Sequence, residues 1–175
     1  MVESKGKLYE FTDAPSGVFI EYKTYKTPLT TVNNVEGLCY DPETNSLLMA
    51  CKDLGGEEYG KDKAVYSFSL ESMSLNEKPR FIIPKKIIKD NTEEGKFSPS
   101  GIARNPISGT FFMIAAKGNT IIELSKKGEV IGQTDMPESI HKQAEGIAFN
   151  SEGTMYISDE GRGNTPIIAI YPLKK

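Results

Sequence analysis

At 175 residues the chain has the size of one domain and enough length to bury a core. Its 21 Lys and Arg and 24 Asp and Glu leave a net charge of -3 with both signs interspersed, which excludes the strongly basic footprint of a nucleic-acid-binding face. No run approaches the ~20 apolar residues of a membrane span, and MVESKGKLYE lacks the apolar centre of a secretory signal.

In chain order, MVESKGKLYEF at Met1 to Phe11 aligns with MIAAKGNTIIEL at Met113 to Leu124 with one residue of slippage. It therefore reads as the second and third strands of a unit whose first strand is missing. GVFIEYKTY at Gly17 to Tyr25 alternates as a fourth strand. VEGLCYDP at Val35 to Pro42 follows, then a turn, SLLMACKD from Ser46, AVYSFSL from Ala64 and KPRFIIP from Lys78. The same order returns with PSGIARNP at Pro99 to Pro106, TFFMIAAKG from Thr110, TIIELS at Thr120 to Ser125 and EVIGQTDM at Glu129 to Met136. Between the last two, Lys126 to Gly128 supply a hairpin turn. AEGIAFNS at Ala144 to Ser151 opens a last unit, continued by TMYISDEG from Thr154 and PIIAIYPLKK from Pro166.

The repeated phrase places Gly37, Gly101 and Gly146 64 and then 45 residues apart. A period of ~45 residues is one four-stranded propeller blade. The fold class expected is therefore all-β, a β-propeller built of four-stranded antiparallel blades. Lettering the strands A to D in each blade gives BCD, ABCD, ABCD, ABC over residues 1–27, 34–84, 98–137 and 143–175, about three and a half blades of one partial domain spanning 1–175. Propellers close with about 4 to 8 blades. The pattern thus predicts either about 100 further residues upstream or self-association that covers the unfinished blades, since open faces and unpaired edges template contacts.

The longer first spacing is accounted for by two polar stretches, Lys52 to Lys63 and Lys85 to Lys96, the second suited to a short helical turn. Loops on a rigid scaffold commonly carry function, and they equally tolerate insertion. A turn centred near Glu43 and Thr44 does not set Cys39 opposite Cys51, so both read as small buried apolar residues in preference to a disulfide.

Chemistry in a propeller belongs where repeats converge on the axis, which strand A lines. The first residues of A share a rim with the last residues of B because the two form an antiparallel hairpin. That geometry gathers Glu36, Ser100 and Glu145 with Lys52, Asp53, Lys117, Asp159 and Glu160 as a binding rim. Several carboxylates facing one channel suit a hard cation, Ca²⁺ most naturally, with Asn33, Asn34 and Ser100 as neutral oxygens. Lys52 or Lys117 would instead neutralise the carboxylates, and a carboxylate opening an inner strand would equally accept backbone N–H groups. The three glycines permit close backbone approach at the axis, while Tyr40, Phe111, Phe112, Phe149 and Tyr156 read as core between blades. His141, the single histidine, precedes the last strand A and is expected near the same rim, where it has the chemistry of a general base. No G-x-S-x-G nucleophile motif accompanies it, and Arg162 reads as either an anion contact or a solvated turn residue.

VEGLCYDPETNSLLMACK, FSPSGIARNPISGTFFMI and AEGIAFNSEGTMYISDEG resemble the SdiA-regulated family of bacterial propellers, over nearly the whole chain from Lys5. The resemblance is to the C-terminal portion of such a protein. It implies a six-bladed ring and an envelope-associated protein, exported or membrane-anchored, although this chain carries no signal or transmembrane segment. More distantly, the EG-[LI] strand starts and the DEG after strand B are similar to gluconolactonase and paraoxonase type propellers, which hold a channel metal and hydrolyse lactones or esters. That likeness carries a metal-ligand role to Glu36, Glu145 and Asp159. Two readings follow: a non-catalytic binding module for a small molecule or an envelope protein, and a calcium-dependent hydrolase.

Overall fold

Each repeated apolar phrase forms a strand, and each polar junction a turn. The computed structural model describes residues 1–87, 97–161, 163 and 165–173. Its strands are β1 (Leu8–Phe11), β2 (Tyr22–Tyr25), β3 (Val35–Asp41), β4 (Ser46–Cys51), β5 (Lys63–Ser69), β6 (Ser74–Leu75), β7 (Phe81–Ile83), β8 (Ser98–Arg104), β9 (Phe111–Lys117), β10 (Thr120–Leu124), β11 (Val130–Asp135), β12 (Ala144–Phe149), β13 (Met155–Asp159) and β14 (Ile167–Tyr171). They pair antiparallel in four consecutive sheets, β1-β2, β3-β4-β5 with β6 and β7, β8-β9-β10-β11, and β12-β13-β14. The fold is an all-β arc of propeller blades, as the repeat predicts.

Two blades depart from the expected lettering. Strand B of the first blade is reduced to an isolated bridge, Val2 to Leu8. Strand D of the second is split: β6 and β7 pair with opposite ends of the same edge of β5. The break falls around Pro79, which has no N–H to give a ladder. Asn76 N–H to the Ser67 carbonyl (2.9 Å) and Arg80 N–H to the Val65 carbonyl (2.7 Å) bracket the residues that loop out. The insertions hold short 3-10 turns at Glu57–Tyr59 and Lys85–Ile87, and the rest of the second, 88–96, lies outside the described residues.

The turns between strands A and B explain the polar end of the repeated phrase. Asp41, Asn105 and Asn150 each accept from a backbone N–H two residues on, at 3.1, 2.9 and 3.1 Å. This is the local bond by which Asp and Asn stabilise turns. Gly109 and Gly153 close two of these turns at φ 74° and 82°, a region that costs other residues energy.

Three apolar clusters mark the three blade boundaries. The first packs Leu8 of the first blade against Met49, Cys51 and Phe68 of the second. The second joins Leu48 and Val65 to Ile102 and Phe111. The third joins Ile114 to Ala144 and Ile157. Fully burying side chains of this size contributes roughly 1.5–3 kcal/mol each. Phe112 meets Phe149 across the last boundary, with ring centroids 5.2 Å apart. Tyr40 corrects the expectation of core: it is 49% exposed and its hydroxyl donates to Asn45 Oδ1 at 3.1 Å. It lies on the alternate face of β3, which turns to solvent at that end of the strand. In the β3–β4 register Cys39 opposes Leu48 and Cys51 opposes Val35, so the two thiols are free and buried. Burial pushes them up to about 11 and about 12, which suppresses the reactive thiolate.

At the inner strands the glycines act through space, not through backbone conformation. A Cβ on Gly37 would lie 2.9 Å from both Ala50 Cβ and Ile102 Cγ2 and 3.1 Å from the Ile102 backbone nitrogen. On Gly101 it would meet Ile147 Cγ2 at 3.2 Å. Each glycine thus receives the isoleucine that follows the glycine of the next blade. Gly37→Ala is expected to destabilise the protein by about 1–3 kcal/mol, because backbone blocks relaxation, and Gly101→Ala by less, since side-chain tips can move. Urea unfolding of both variants checks the order.

Polar contacts also join the second and third blades. Glu43 accepts from Lys126 Nζ at 2.6 Å and Arg104 Nη2 at 3.0 Å, and the Lys126 bond foremost holds its carboxyl below the ordinary value. A depressed folded-state value contributes stability above the unfolded pKa that is lost as pH falls through the folded one. Stability should therefore decline on acidification through the carboxylate range, and the decline should be shallower in Glu43→Gln; melting temperature against pH measures both.

Candidate functional site

The rim expected from the sequence is built on one backbone device repeated three times. The ladder between strands A and B shifts register between Val35 and Gly37, between Pro99 and Gly101, and between Ala144 and Gly146. The extra residue in each case is Glu36, Ser100 or Glu145. A β-bulge re-aims the side chain of the inserted residue, which is why this position varies in chemistry while the glycine after it recurs.

What each bulge residue meets depends on the facing end of strand B. In the second blade Lys52 Nζ donates to both Glu36 oxygens at 3.0 and 2.9 Å, with the two side chains 25–30% exposed. Lys63, from the end of the first insertion, donates to the carbonyls of Lys52 (2.6 Å) and Asp53 (3.1 Å), and burial lowers its pKa. Asn34 Nδ2 donates to Asp53 Oδ2 at 2.9 Å. This half of the rim is a closed network of charge and amide groups, and Lys63 is a member that the strand pattern did not reveal.

Ser100 is not offered to a ligand. It is 1% exposed, donates to the Ala144 carbonyl at 2.6 Å and accepts from Ala116 N–H at 3.3 Å. A hydroxyl here bonds a carbonyl at the start of the next blade, so it fastens blade three to blade four. Lys117 is exposed and stands opposite Ser98 in the ladder.

In the last blade the facing residue is Glu160, so two carboxylates occupy the place of the Glu36–Lys52 ion pair. Gln143 Nε2 donates to Glu145 Oε1 at 2.7 Å and also to Glu160 Oε2. A neutral amide mediates between like charges that would otherwise repel.

Asp159 departs most from expectation. In the register it opposes Ala144, as Cys51 opposes Val35 and Ala115 opposes Pro99. It therefore points into the interface between blades, where it is 4% exposed, and not into the channel. Its Oδ2 accepts from His141 Nδ1 at 2.8 Å and its Oδ1 from Gln143 N–H at 3.1 Å. An ionised carboxylate only accepts, so Nδ1 carries a proton, and on the other side of the ring Nε2 is hydrogen-bonded with the Tyr171 hydroxyl at 2.5 Å. Burial and the Asp159 charge push the Tyr171 pKa up, which keeps that hydroxyl a donor. His141 is 0% exposed and so lies inside this chain of bonds, away from the solvent-facing rim. The signal was present in the sequence: an acid stands where two sister blades have Cys and Ala, in the blade that follows the single histidine.

The residues carried over as ligands, Glu36, Glu145 and Asp159, are thus divided among a lysine, a glutamine amide and a histidine. Among the described residues no three His, Cys, Asp or Glu side chains gather as a metal-binding group. The arrangement does not fit a calcium ion, which needs 6–8 converging oxygens. Arg162 lies outside the described residues.

The sequence profile of the SdiA-regulated family matches residues 76–171. Among solved structures the chain is similar to one in a nidogen/laminin complex, at 17% identity and TM-score 0.60, covering 96% of this chain and 55% of that one. It is similar to luciferin-regenerating enzyme at 14% identity and TM-score 0.61, covering 98% and 60%. It is similar to XC5397 of Xanthomonas campestris, described as a gluconolactonase, at 12% identity and TM-score 0.57, covering 99% and 55%. At these identities the likeness is one of fold, and the chain spans little more than half the length of these structures. Among the described residues no helix is long and apolar enough to cross a membrane.

Removing Asp159 by Asp159→Ala strands the His141 Nδ1 proton and the Gln143 N–H in the interior. A loss of about 2–3 kcal/mol is expected. Glu36→Gln, at a partly exposed pair, should cost under about 1 kcal/mol. Denaturant unfolding of the two variants side by side checks the contrast.

Proposed function

The chain belongs to the SdiA-regulated family, and on that premise we propose that it is a non-catalytic β-propeller binding module of the bacterial cell envelope, acting on a small molecule or an envelope protein. The observation that carries this reading is the state of the inner-rim carboxylates. Glu36 is held bidentately by Lys52, and Asp159 is spent on His141 and a backbone N–H. Groups already saturated by protein donors are poor metal ligands and poor general bases, because each new partner must first displace an existing one. Tyr171, the hydroxyl in contact with the histidine, is a donor and not an activated nucleophile.

Recognition then falls to the exposed polar groups at the ends of strand B and to the insertion that follows β4. Asp53, Lys117 and Glu160 present both signs of charge from successive blades, a surface suited to a zwitterionic ligand or a mixed-charge protein face. The envelope location rests on the family.

The test is elemental analysis and solution mass of the purified protein before and after a chelator, with a screen of lactones and aryl esters. The expected result is no stoichiometric calcium, a mass and melting temperature indifferent to the chelator, and no turnover above that of a Glu145→Gln variant. One calcium per chain, with hydrolysis that vanishes in Glu145→Gln and on chelation, would overturn the binding reading in favour of a channel hydrolase.

A further inference from the structure

The turn that precedes β1 and the linker from β2 to β3 form the walls of a concavity outside the rim of bulge residues. Lys5, Lys7, Lys26, Thr27, Leu29 and Thr31 are among the residues lining about 460 Å³ of open space there. Small-molecule sites occupy ~300–1,000 Å³, so the space admits a compact ligand. Its walls are tied together through the backbone. Glu3 N–H donates to the Lys7 carbonyl at 2.9 Å and Gly6 N–H to the Glu3 carbonyl at 2.8 Å, which closes the turn carrying Lys5 and Lys7. The Thr27 hydroxyl donates to the Gly6 carbonyl at 3.0 Å, and Val35 N–H donates to the Ser4 carbonyl at 2.7 Å. Gly6, at φ 78°, lies so close to the linker that a Cβ would be 2.6 Å from both Leu29 Cβ and Thr27 Oγ1. The concavity is therefore preformed, which spares a ligand the cost of ordering its site.

The same turn and linker recur in the third blade, which is packed against a neighbour on each side. There Lys117 stands in the place of Lys5, and Lys117 and residues 137–140 of the linker are exposed. Flanking blades thus leave this position of the fold open to solvent.

No carboxylate lines the concavity, in a chain whose charges are otherwise interspersed and sum to -3. Lys5 is paired with Glu3 at 3.0 Å. Lys7 Nζ lies 4.6 Å from the centre of the Tyr9 ring, a contact that holds an ammonium without using its N–H donors. Among the described residues neither Lys7 nor Lys26 has a carboxylate partner, and the Thr31 hydroxyl has no hydrogen bond. Leu29, 7% exposed, is the apolar element of the wall.

We propose that this concavity binds the phosphate group of a phosphomonoester. Two ammonium groups without partners match the charge of such a group, about -1.5 to -2 at pH 7, whereas a carboxylate would neutralise only one of them. The three terminal oxygens of the phosphate accept from the lysines and the Thr31 hydroxyl together. The space beside Leu29 takes the body to which the phosphate is attached. The site lies apart from Glu36, Ser100 and Glu145 and stands whether or not the rim binds a ligand of its own.

The experiment is calorimetric titration of the 175-residue chain with glycerol 3-phosphate, with inorganic phosphate and with succinate, at low and physiological salt. Lys7→Gln, Lys26→Gln and the double variant are titrated beside Lys127→Gln, an exposed lysine in a turn of another blade, and thermal melts establish that each folds. The expected result is saturable binding of one glycerol 3-phosphate per chain, weakened about tenfold or more in the double variant, since a hydrogen bond to a charged group is worth ~1.5–3 kcal/mol. Lys127→Gln should bind as wild type does. Sedimentation with phosphatidylcholine vesicles, with and without phosphatidic acid, then separates the sources of the group. Capture by phosphatidic acid that glycerol 3-phosphate displaces assigns a lipid headgroup, and binding of the soluble ester without capture assigns a free phosphomonoester. No saturable binding of either form overturns the proposal. So does binding untouched by the double variant, an equal loss in Lys127→Gln, which would mean charge attraction without a site, or succinate binding as tightly as the phosphoester.

Discussion

The structure depends on how closely three inner strands can approach one another. Sheets radiating from an axis leave little room at the hub, and a single Cβ on Gly37 would be 2.9 Å from a side chain of the next blade. Omitting that Cβ lets β3, β8 and β12 lie side by side, and an isoleucine from each following blade fills the space released. The three apolar clusters are the outward continuation of that contact, so the same constraint that spaces the hub also sets how each sheet buries its face.

The bulge beside each glycine follows from the same crowding. An extra residue in strand A relieves the ladder where the strand enters the hub and turns one side chain out of the regular alternation. Glu36, Ser100 and Glu145 occupy this place with three different fates: an ion pair with Lys52, a hydroxyl clamp on the next blade's Ala144 carbonyl, and an amide-bridged pair with Glu160. A single backbone geometry therefore serves as a structural fastener in one blade and as surface chemistry in its neighbours. In the second and fourth blades what the bulge residue faces is set by Lys52 and Glu160 at the end of strand B.

The buried Asp159–His141–Tyr171 chain shows the cost of departing from the repeat. Its sister positions hold Cys51 and Ala115, which need no partners. An acid in the same place needs donors, and the segment leading into the last blade supplies them from His141 and the Gln143 backbone. The outcome is a hydrogen-bonded entry to the last blade, in which the histidine is buried away from the rim.

The blades, their order and the A–B register were legible in the sequence because strand alternation and the recurring glycine are local or strictly periodic signals. So were the positions of Cys39 and Cys51, which do not oppose one another. Proximity at the rim was legible only to the level of the strand end. Whether Ser100 would face inward, Asp159 would leave the channel, or Tyr40 would reach solvent turned on half-turns of a side chain about a bulged or terminal strand. Lys63 joined the rim from the start of β5, after an insertion whose path no periodicity records. The sequence by itself determined which segments become strands and which residues gather at one end of them, since both follow from spacing along the chain. Only the tertiary structure decided which of those residues are consumed in holding blades together and which remain exposed, because that is settled by partners brought together in space, at separations the chain's local pattern does not encode.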